Sequence, residues 1–166
     1  QIKTKAARNM IRKLNPEIMV STYNKEILTE KDANIFEGYD VILDGSDSVT
    51  LKNLVAKKCV KLCKTLITGS VSVWEGQIFM YEPRNSVSCY SCIYGGLSDD
   101  EGNNCEHLGI VGTIAGTIGT MMATETIKYI TGTSSSFTNT LIVYDGLFND
   151  FKKISVPKNV SCKSCN

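Results

Sequence analysis

Two pairs of cysteines are the strongest chemical signal in this sequence. Cys89 and Cys92 are separated by two residues, and Cys162 and Cys165 repeat that spacing near the end of the chain. Two intervening residues let both thiolates of a pair face one ion, so the two pairs can complete a tetrahedral Zn²⁺ site. The 69 residues between the pairs are more than a compact zinc ribbon uses. A closed four-thiolate shell leaves no position for a substrate, so the pattern predicts a structural metal; unrelated thiols or a redox CxxC are the alternative.

A second signal lies in residues 44–48, where a predicted apolar strand over 39–43 meets a predicted helix over 46–64. Ligands of open α/β sheets bind outside the carboxyl ends of the strands. A carboxylate at that position, Asp47, can hold Mg²⁺ or orient a triphosphate. The alternative is that Asp47 only caps the helix, with Ser46 as its competitor.

Three further cysteines differ in what they predict. Cys105 lies beside His107 in a polar loop just before a predicted helix, whose positive end lowers the pKa of a thiol there. Cys105 is therefore a candidate nucleophile, with an incidental loop cysteine as the alternative. Cys59 and Cys63 lie one helical turn apart on the apolar side of their helix, which predicts core residues.

A row of glycines recurs at spacings of three and four within the last predicted helix: Gly109, Gly112, Gly116 and Gly119. Glycine costs about 1 kcal/mol against alanine in a helix. We therefore expect another element to approach this face closely, so that tight packing offsets the cost. The row predicts a central helix packed against the sheet.

The order of the predicted elements indicates an α/β fold. The first half alternates helix and strand, which favours a parallel sheet with helices on its faces. In order, the predicted elements are a helix over 3–14, a strand over 18–23, a helix from Thr29 to 36, the strand over 39–43, the helix over 46–64, a strand over 65–68, β-like runs over 71–73 and 77–81, a long loop over 83–104, a helix over 107–130 and a hairpin over 141–156.

Composition narrows the class of protein. The chain has 166 residues, the size of one domain, and 42% of them are hydrophobic. Its formal net charge of +1 gives no bias toward nucleic acid. Seven cysteines, an odd number, make a poor disulfide framework and favour a reduced, cytoplasmic protein. The uncharged stretch over 108–123 is too short for a membrane span, and no secretory signal opens the chain.

Together these motifs resemble one family, the adenylyltransferases that activate ubiquitin-like sulfur carriers in molybdopterin-synthase and thiamine pathways, with the ubiquitin-activating enzymes as distant relatives. The similarity covers almost the whole chain. The matching words, in order, are Lys3 with the helix ending at Leu14-Asn15-Pro16, Leu43-Asp44-Gly45-Ser46-Asp47, Gly69, Glu75-Gly76-Gln77-Ile78, Cys89-Tyr90-Ser91-Cys92, Cys105-Glu106, Gly109-Ile110-Val111-Gly112, Glu125-Thr126-Ile127-Lys128, Tyr144-Asp145 and Cys162 to Cys165.

The resemblance implies a Rossmann-like, mostly parallel sheet with helices on both faces, an antiparallel β extension and a four-cysteine zinc site. In that family a glycine-rich phosphate-binding turn precedes the position of Lys3, and no such turn occurs here. We therefore expect residues 1–166 to form a single, partial adenylyltransferase domain of a longer protein. Alone, this piece is expected to be inactive.

By position, Lys3 would neutralise ATP phosphates, Asp47 would hold Mg²⁺ and the triphosphate, and Ser48 would sit beside the nucleotide. Cys105 matches the cysteine that receives the activated carrier in several members. The family usually has Asn where Ser48 stands and Arg where Lys52 stands.

The resemblance implies ATP-dependent adenylation of the C-terminal glycine of a ubiquitin-like sulfur carrier. It also implies a homodimer, a sulfurtransferase donor, and no membrane or nucleic-acid partner. Two other functions remain open from the residues. One is a non-catalytic, zinc-bound module that docks a ubiquitin-like partner. The other is a nicotinamide-dependent oxidoreductase, which the lack of GxGxxG disfavours.

Overall fold

The computed structural model describes residues 2–97, 109–133 and 137–166. Its helices and strands follow the predicted order closely. They are α1 Lys3–Leu14, a 3₁₀ turn Asp32–Gly38, β1 Val41–Asp44, α2 Val49–Lys61, β2 Thr65–Val71, β3 Glu75–Tyr81, α3 Tyr90–Tyr94, α4 Gly112–Ile130, β4 Thr140–Asp145 and β5 Asp150–Ser155.

Within the described residues, five strands form one sheet in chain order, β1-β2-β3-β4-β5. β1 and β2 run parallel with Val41 opposite Thr65, and α2 is the crossover that joins them. The three following pairings are antiparallel. Short turns join β2 to β3 and β4 to β5, whereas α3 and α4 lie in the chain between β3 and β4. The expected α/β class with an antiparallel extension is confirmed, and the extension is the larger part of the described sheet.

Each strand sends alternate side chains to opposite faces of the sheet, as the two-residue period of a strand requires. On one face, Leu66, Phe79 and Leu141 pack with α2, α3 and the cysteine pairs. On the other face, Ile67 and Ile142 pack against α4. Helices therefore cover both faces, as expected.

The glycine row of α4 does not face the sheet, and the prediction of close packing there is wrong. Ideal Cβ atoms on Gly112, Gly116 and Gly119 would come within 4 Å of no described atom outside their own stretch of the helix. The residues between them, Ile114 and Ile118, are buried against the strands instead. Close approach is allowed from the other side, by glycines of the sheet: a Cβ on Gly69 would lie 2.5 Å from Met122 Sδ, and one on Gly76 would overlap Ile118.

The largest differences from the predicted elements concern three segments. Residues 18–23 do not form a strand, because the described residues give them no neighbouring strand, and Met19 is 96% exposed. The long polar loop contains α3, which holds one of the cysteine pairs. α4 begins at Gly112 rather than at residue 107, which lies outside the described residues.

None of the helices in the described ranges is long and apolar enough to cross a bilayer.

Candidate metal and nucleotide sites

The structure brings the four cysteines of the two CxxC pairs together. Cys89 immediately precedes α3 and Cys92 lies within it. In the tail that follows β5, Cys162 directly follows one turn and Cys165 lies in the next. Cys89 Sγ lies 3.7 Å from Cys162 Sγ, and Cys92 Sγ lies 3.5 Å from Cys165 Sγ. All four sulfur atoms lie within 4.8 Å of one another.

These distances fit a single tetrahedral metal ion. With Zn–S bonds of about 2.3 Å, the sulfur atoms of a tetrahedral site are about 3.8 Å apart. The observed separations bracket that value, and Cys89 and Cys92 are 4.0 Å apart. Four thiolates are the ligand set of a closed structural site, so the four residues fit a soft divalent ion such as Zn²⁺.

The cysteines of the cluster have different surroundings, and the pKa values of three of them differ accordingly. Burial, with the neighbouring thiols, raises the pKa of Cys89 above its ordinary value. Burial also raises the pKa of Cys165, to about 11. Burial alone would raise the pKa of Cys162, but backbone N–H groups of Ser164 and Cys165 donate to its sulfur and lower the pKa to about 7. Because a metal ligand must be deprotonated, Cys162 is prepared for coordination and Cys89 needs the ion's positive charge.

Two nearby cysteines, Cys59 in α2 and Cys63 just after it, differ in their burial. Cys59 is fully buried in the same core, as predicted, and burial raises its pKa to about 12. Cys63 is exposed, so its prediction as a core residue is wrong. α2 ends at Lys61, and Cys63 adopts a left-handed conformation with φ of 52°. The helical spacing that would have placed its side chain beside Cys59 therefore no longer applies.

The carboxyl end of β1 holds a buried ion pair that the sequence did not indicate. Asp44 Oδ2 accepts from Lys52 Nζ at 3.2 Å and from the Thr68 hydroxyl at 3.1 Å. Lys52 Nζ also donates to the Gly69 carbonyl oxygen at 2.7 Å. The side chains of Lys52 and Asp44 are only 3% and 6% exposed. Burial lowers the pKa of Lys52, and the charge of Asp44 opposes that shift.

This ion pair lies directly under the turn that bears Asp47. The second oxygen of Asp44, Oδ1, accepts from the Ser46 N–H at 2.9 Å and so fixes the first residues of the turn. Lys52 lies in the first turns of α2, and its hydrogen bond to the Gly69 carbonyl oxygen reaches β2. The network therefore joins β1, α2 and β2 at one edge of the sheet. The sequence could have indicated this network only if Lys52 had been recognised as a lysine of α2 that faces the sheet.

The predicted nucleotide residues lie at this edge and on α1. Asp47 is exposed in the turn between β1 and α2. Ser48 is the N-cap of α2, because its hydroxyl accepts from the Leu51 N–H at 3.0 Å, so neither Asp47 nor Ser46 has that role. Lys3 is exposed in the first turn of α1 and makes no ion pair with the described residues. Cys105 lies outside the described residues.

A parallel strand pair with a helical crossover and an acidic turn at the carboxyl end of its first strand is typical of open α/β domains, which bind their ligands at that end of the strands. The four-thiolate cluster distinguishes this chain within that class of domain, because it joins the tail to the face of the sheet that packs against α2. The chain belongs to the ThiF family, whose model matches residues 1–164.

Its curated relatives are longer proteins. It is 33% identical over 166 residues to the adenylyltransferase and sulfurtransferase MOCS3 of Culex quinquefasciatus, and 34% identical to the MOCS3 of Drosophila yakuba. The alignments cover 99% of this chain but 38% and 36% of those proteins. The chain thus spans less than two fifths of their length.

Solved structures share the fold. Escherichia coli MccB superposes with a TM-score of 0.84 over 99% of this chain and 50% of its own, at 20% sequence identity. The match to PaaA has a TM-score of 0.72 over 93% of this chain and 55% of PaaA, at 11% identity. One MccB structure that matches is a complex with ATP.

Proposed function

We propose that this chain is part of an enzyme that uses ATP to adenylate the C-terminal glycine of a ubiquitin-like sulfur carrier. The observation that carries the proposal is the exposed Asp47 turn, braced from beneath by the buried Asp44–Lys52 pair at the carboxyl end of a parallel strand. Family membership supports it, as do relatives named adenylyltransferases. The complex of the similar MccB fold with ATP supports a nucleotide at this type of domain.

In the proposed reaction the carboxylate of the carrier attacks the α-phosphorus of ATP, and pyrophosphate leaves. Both reactants are anionic, so their encounter is repulsive until positive charge is brought to the phosphates. Asp47 would hold Mg²⁺, which supplies that charge when bound. Lys3 would lie on the phosphates, and the turn before α2 would fix the nucleotide next to Ser48.

The second step proposed is attack of sulfur on the acyl adenylate. Cys105 is the candidate acceptor: its thiolate would form a thioester with the carrier and release AMP. A persulfide supplied by a sulfurtransferase is the other possible nucleophile: its terminal sulfur would form an acyl disulfide with the carrier and release AMP. A second thiol would then attack the donor sulfur of that disulfide, which releases the carrier thiocarboxylate and leaves a disulfide between the two thiols. We propose that the reaction takes place in the cytoplasm, where thiols stay reduced.

The cysteine cluster has a structural role in this proposal. With Zn²⁺ bound, Cys89, Cys92, Cys162 and Cys165 would hold the tail against the face of the sheet that carries α2. The four ligands leave no coordination position for the carrier or for ATP.

We also propose that two copies of the protein pair through the outer face of α4. Gly116 and Gly119 face outward there, beside a groove of about 700 Å³ lined in part by Met121, Phe137 and Phe151. A glycine face next to the exposed ring of Phe151 and the half-buried ring of Phe137 suits a second copy of itself. Sedimentation velocity should give a dimer, and Gly116→Trp should give a monomer; a monomeric wild-type protein would exclude the pairing.

Exchange of labelled pyrophosphate into ATP tests the adenylation step. We expect exchange by the longer protein that contains this chain, only when a ubiquitin-like carrier with a free C-terminal glycine is present. The 166-residue chain alone should be inactive. A carrier without its last glycine is the matched control. If the longer protein binds the carrier but gives no exchange, the chain is a docking module and the proposal is wrong.

A further inference from the structure

Asn139, just before β4, contacts the segments on both sides of the cysteine cluster. Its Oδ1 accepts from the Val87 N–H at 2.8 Å, and from the Ser88 N–H and hydroxyl at 3.3 Å each. Its Nδ2 donates to the Asn85 carbonyl at 3.3 Å. Its own carbonyl accepts from the Val156 N–H at 2.8 Å. One residue is therefore bonded to a loop and to the end of a hairpin.

Those two segments lead directly into the two CxxC pairs. Ser88 immediately precedes Cys89, and Val156 is the first residue after β5, at the start of the tail that contains Cys162. The Ser88 hydroxyl also donates to the Val156 carbonyl at 2.9 Å, which closes the network. Ser88 and Val156 are 1% and 6% exposed, so the hydrogen bond between them is protected from water. The network joins the two halves of the cluster without using the thiols.

The backbone at Asn139 explains why the residue can do this. Its φ is 56°, in the left-handed region that most L residues avoid and that Asn tolerates. This conformation reverses the chain just before β4, so the side chain reaches the loop before Cys89 while the carbonyl reaches Val156.

From these contacts we propose that Asn139 is a positioning residue of the four-thiolate site. It aligns the Cys89–Cys92 half with the Cys162–Cys165 half before the metal arrives. A metal that meets aligned thiols does not have to order two segments 69 residues apart in sequence. Prior alignment therefore raises the affinity for the ion, because less conformational entropy is lost when the metal binds.

The chain offers a matched control at the other end of the same hairpin. Asn149 has the same φ of 56° and accepts a hydrogen bond from the Tyr144 hydroxyl at 2.9 Å. It follows β4, whereas Asn139 precedes it, and its hydrogen bond with Tyr144 involves no cysteine of the cluster. Asn139→Gly and Asn149→Gly both keep the left-handed backbone accessible and remove an amide side chain.

The test measures Zn²⁺ affinity of the 166-residue chain by competition with a chromophoric chelator, together with thermal unfolding of the metal-free protein. We expect Asn139→Gly to weaken Zn²⁺ binding about 10- to 100-fold, the range for residues that orient metal ligands. Asn149→Gly should change it by less than about threefold. Asn139→Asp, which keeps the acceptor oxygen, should stay close to the wild-type affinity.

Equal Zn²⁺ affinities of the two glycine variants would overturn the proposal, because both lose the same kind of side chain. So would a loss of metal-free stability by Asn139→Gly without a loss of affinity, or a wild-type chain that binds no Zn²⁺. If Asn139→Gly does not fold, Ser88→Ala decides the question, since it removes only the hydroxyl shared by Asn139 and Val156. We expect at least about threefold weaker binding from that variant, and an unchanged affinity would contradict the role.

Discussion

The cysteine cluster and the carboxyl end of β1 both carry predicted chemistry, and the fold builds them in opposite ways. In the cluster, side chains from two distant segments contact one another, and Cys89 and Cys162 are buried. At the end of β1, the polar contacts are made beneath the surface by Asp44 and Lys52, while Asp47 stands exposed above them. A metal would complete the first region from within, whereas the second offers an open carboxylate to an incoming ligand.

The difference follows from the chemistry of the groups. Thiols are weakly polar and can be buried in a core at little cost until an ion binds them. A carboxylate loses much more when water is removed, so Asp44 is buried only with a cation and a hydroxyl against it. Asp47 lies close enough to Lys52 for its charge to act on the pKa of that lysine, but its carboxylate is exposed and forms no ion pair with the described residues, so it can contact a charged ligand.

Removing one thiolate from the cluster should have the largest effect. Cys162→Ser takes one of four ligands from the site, and Zn²⁺ affinities of structural sites correspond to about 10–16 kcal/mol. We expect the metal content to fall from one ion per chain to a small fraction, and residues 157–166 to exchange their amide protons faster. Elemental analysis and hydrogen exchange measure both. Cys63→Ser is the control, because Cys63 is an exposed cysteine outside the cluster. Full metal retention by Cys162→Ser would show that Cys162 is not a metal ligand.

Neutralising the buried cation should have the next largest effect, on the edge of β1. Lys52→Met leaves Asp44 buried without its counter-charge, which costs about 3–5 kcal/mol of unfolding free energy. Urea unfolding of the metal-loaded chain measures the loss. Replacing Asp44 by Asn in the same variant should recover part of it, because no charge then stays buried.

Lys58→Met is the matched control for that change. Lys58 is also buried on α2, but it donates to Asn34, a neutral and exposed side chain whose oxygen can turn to water. We expect a loss of no more than about 1.5 kcal/mol. Similar losses from the two lysine variants would show that the Asp44 pair is not specially important to this edge.

The cluster could be predicted from the sequence and the ion pair could not. The spacing of two residues within each pair is local, and the preference of thiolates for one shared ion brings the pairs together whatever the length of chain between them. Lys52 gave no such signal, because lysine in a helix usually faces water. Its partner Thr68 and the Gly69 carbonyl lie on another strand. Only the sheet register brings them to one point.

The glycines of α4 likewise show that local spacing does not predict which face of a helix is buried. A spacing of three and four shows that Gly112, Gly116 and Gly119 share a side of α4, but not whether that side is inward. The bulky residues Ile114 and Ile118 gain more from burial, so they decide the orientation. The strand predicted over 18–23 failed for a related reason: its apolar composition is suitable, but a strand also needs a neighbour to accept its hydrogen bonds.

Asp47→Asn should separate activity from stability. If the exposed carboxylate holds a magnesium nucleotide, its loss should lower carrier-dependent pyrophosphate exchange by about 100-fold or more. Unfolding should change little, because Asp47 is exposed and its charge acts on Lys52 less than that of Asp44 does. Asp40→Asn, at the amino end of the same strand, is the control and should leave both properties unchanged. Wild-type exchange by Asp47→Asn would mean that this edge does not bind the nucleotide.

The smallest effect expected is at Ser48, and it decides what its hydroxyl does. As the N-cap of α2, the hydroxyl satisfies the Leu51 N–H, so Ser48→Ala should cost about 1 kcal/mol of unfolding free energy. Ser48→Asp should restore the cap. Ser46→Ala is the control two residues earlier, where the hydroxyl is buried without a partner among the described residues, so its removal should be neutral or slightly stabilising. If Ser48→Ala lowers exchange much more than it lowers stability, the hydroxyl contacts the nucleotide. Small losses of both exchange and stability would show that the Ser48 hydroxyl only caps the helix, and Asp47 would then be the remaining candidate for nucleotide binding at this edge.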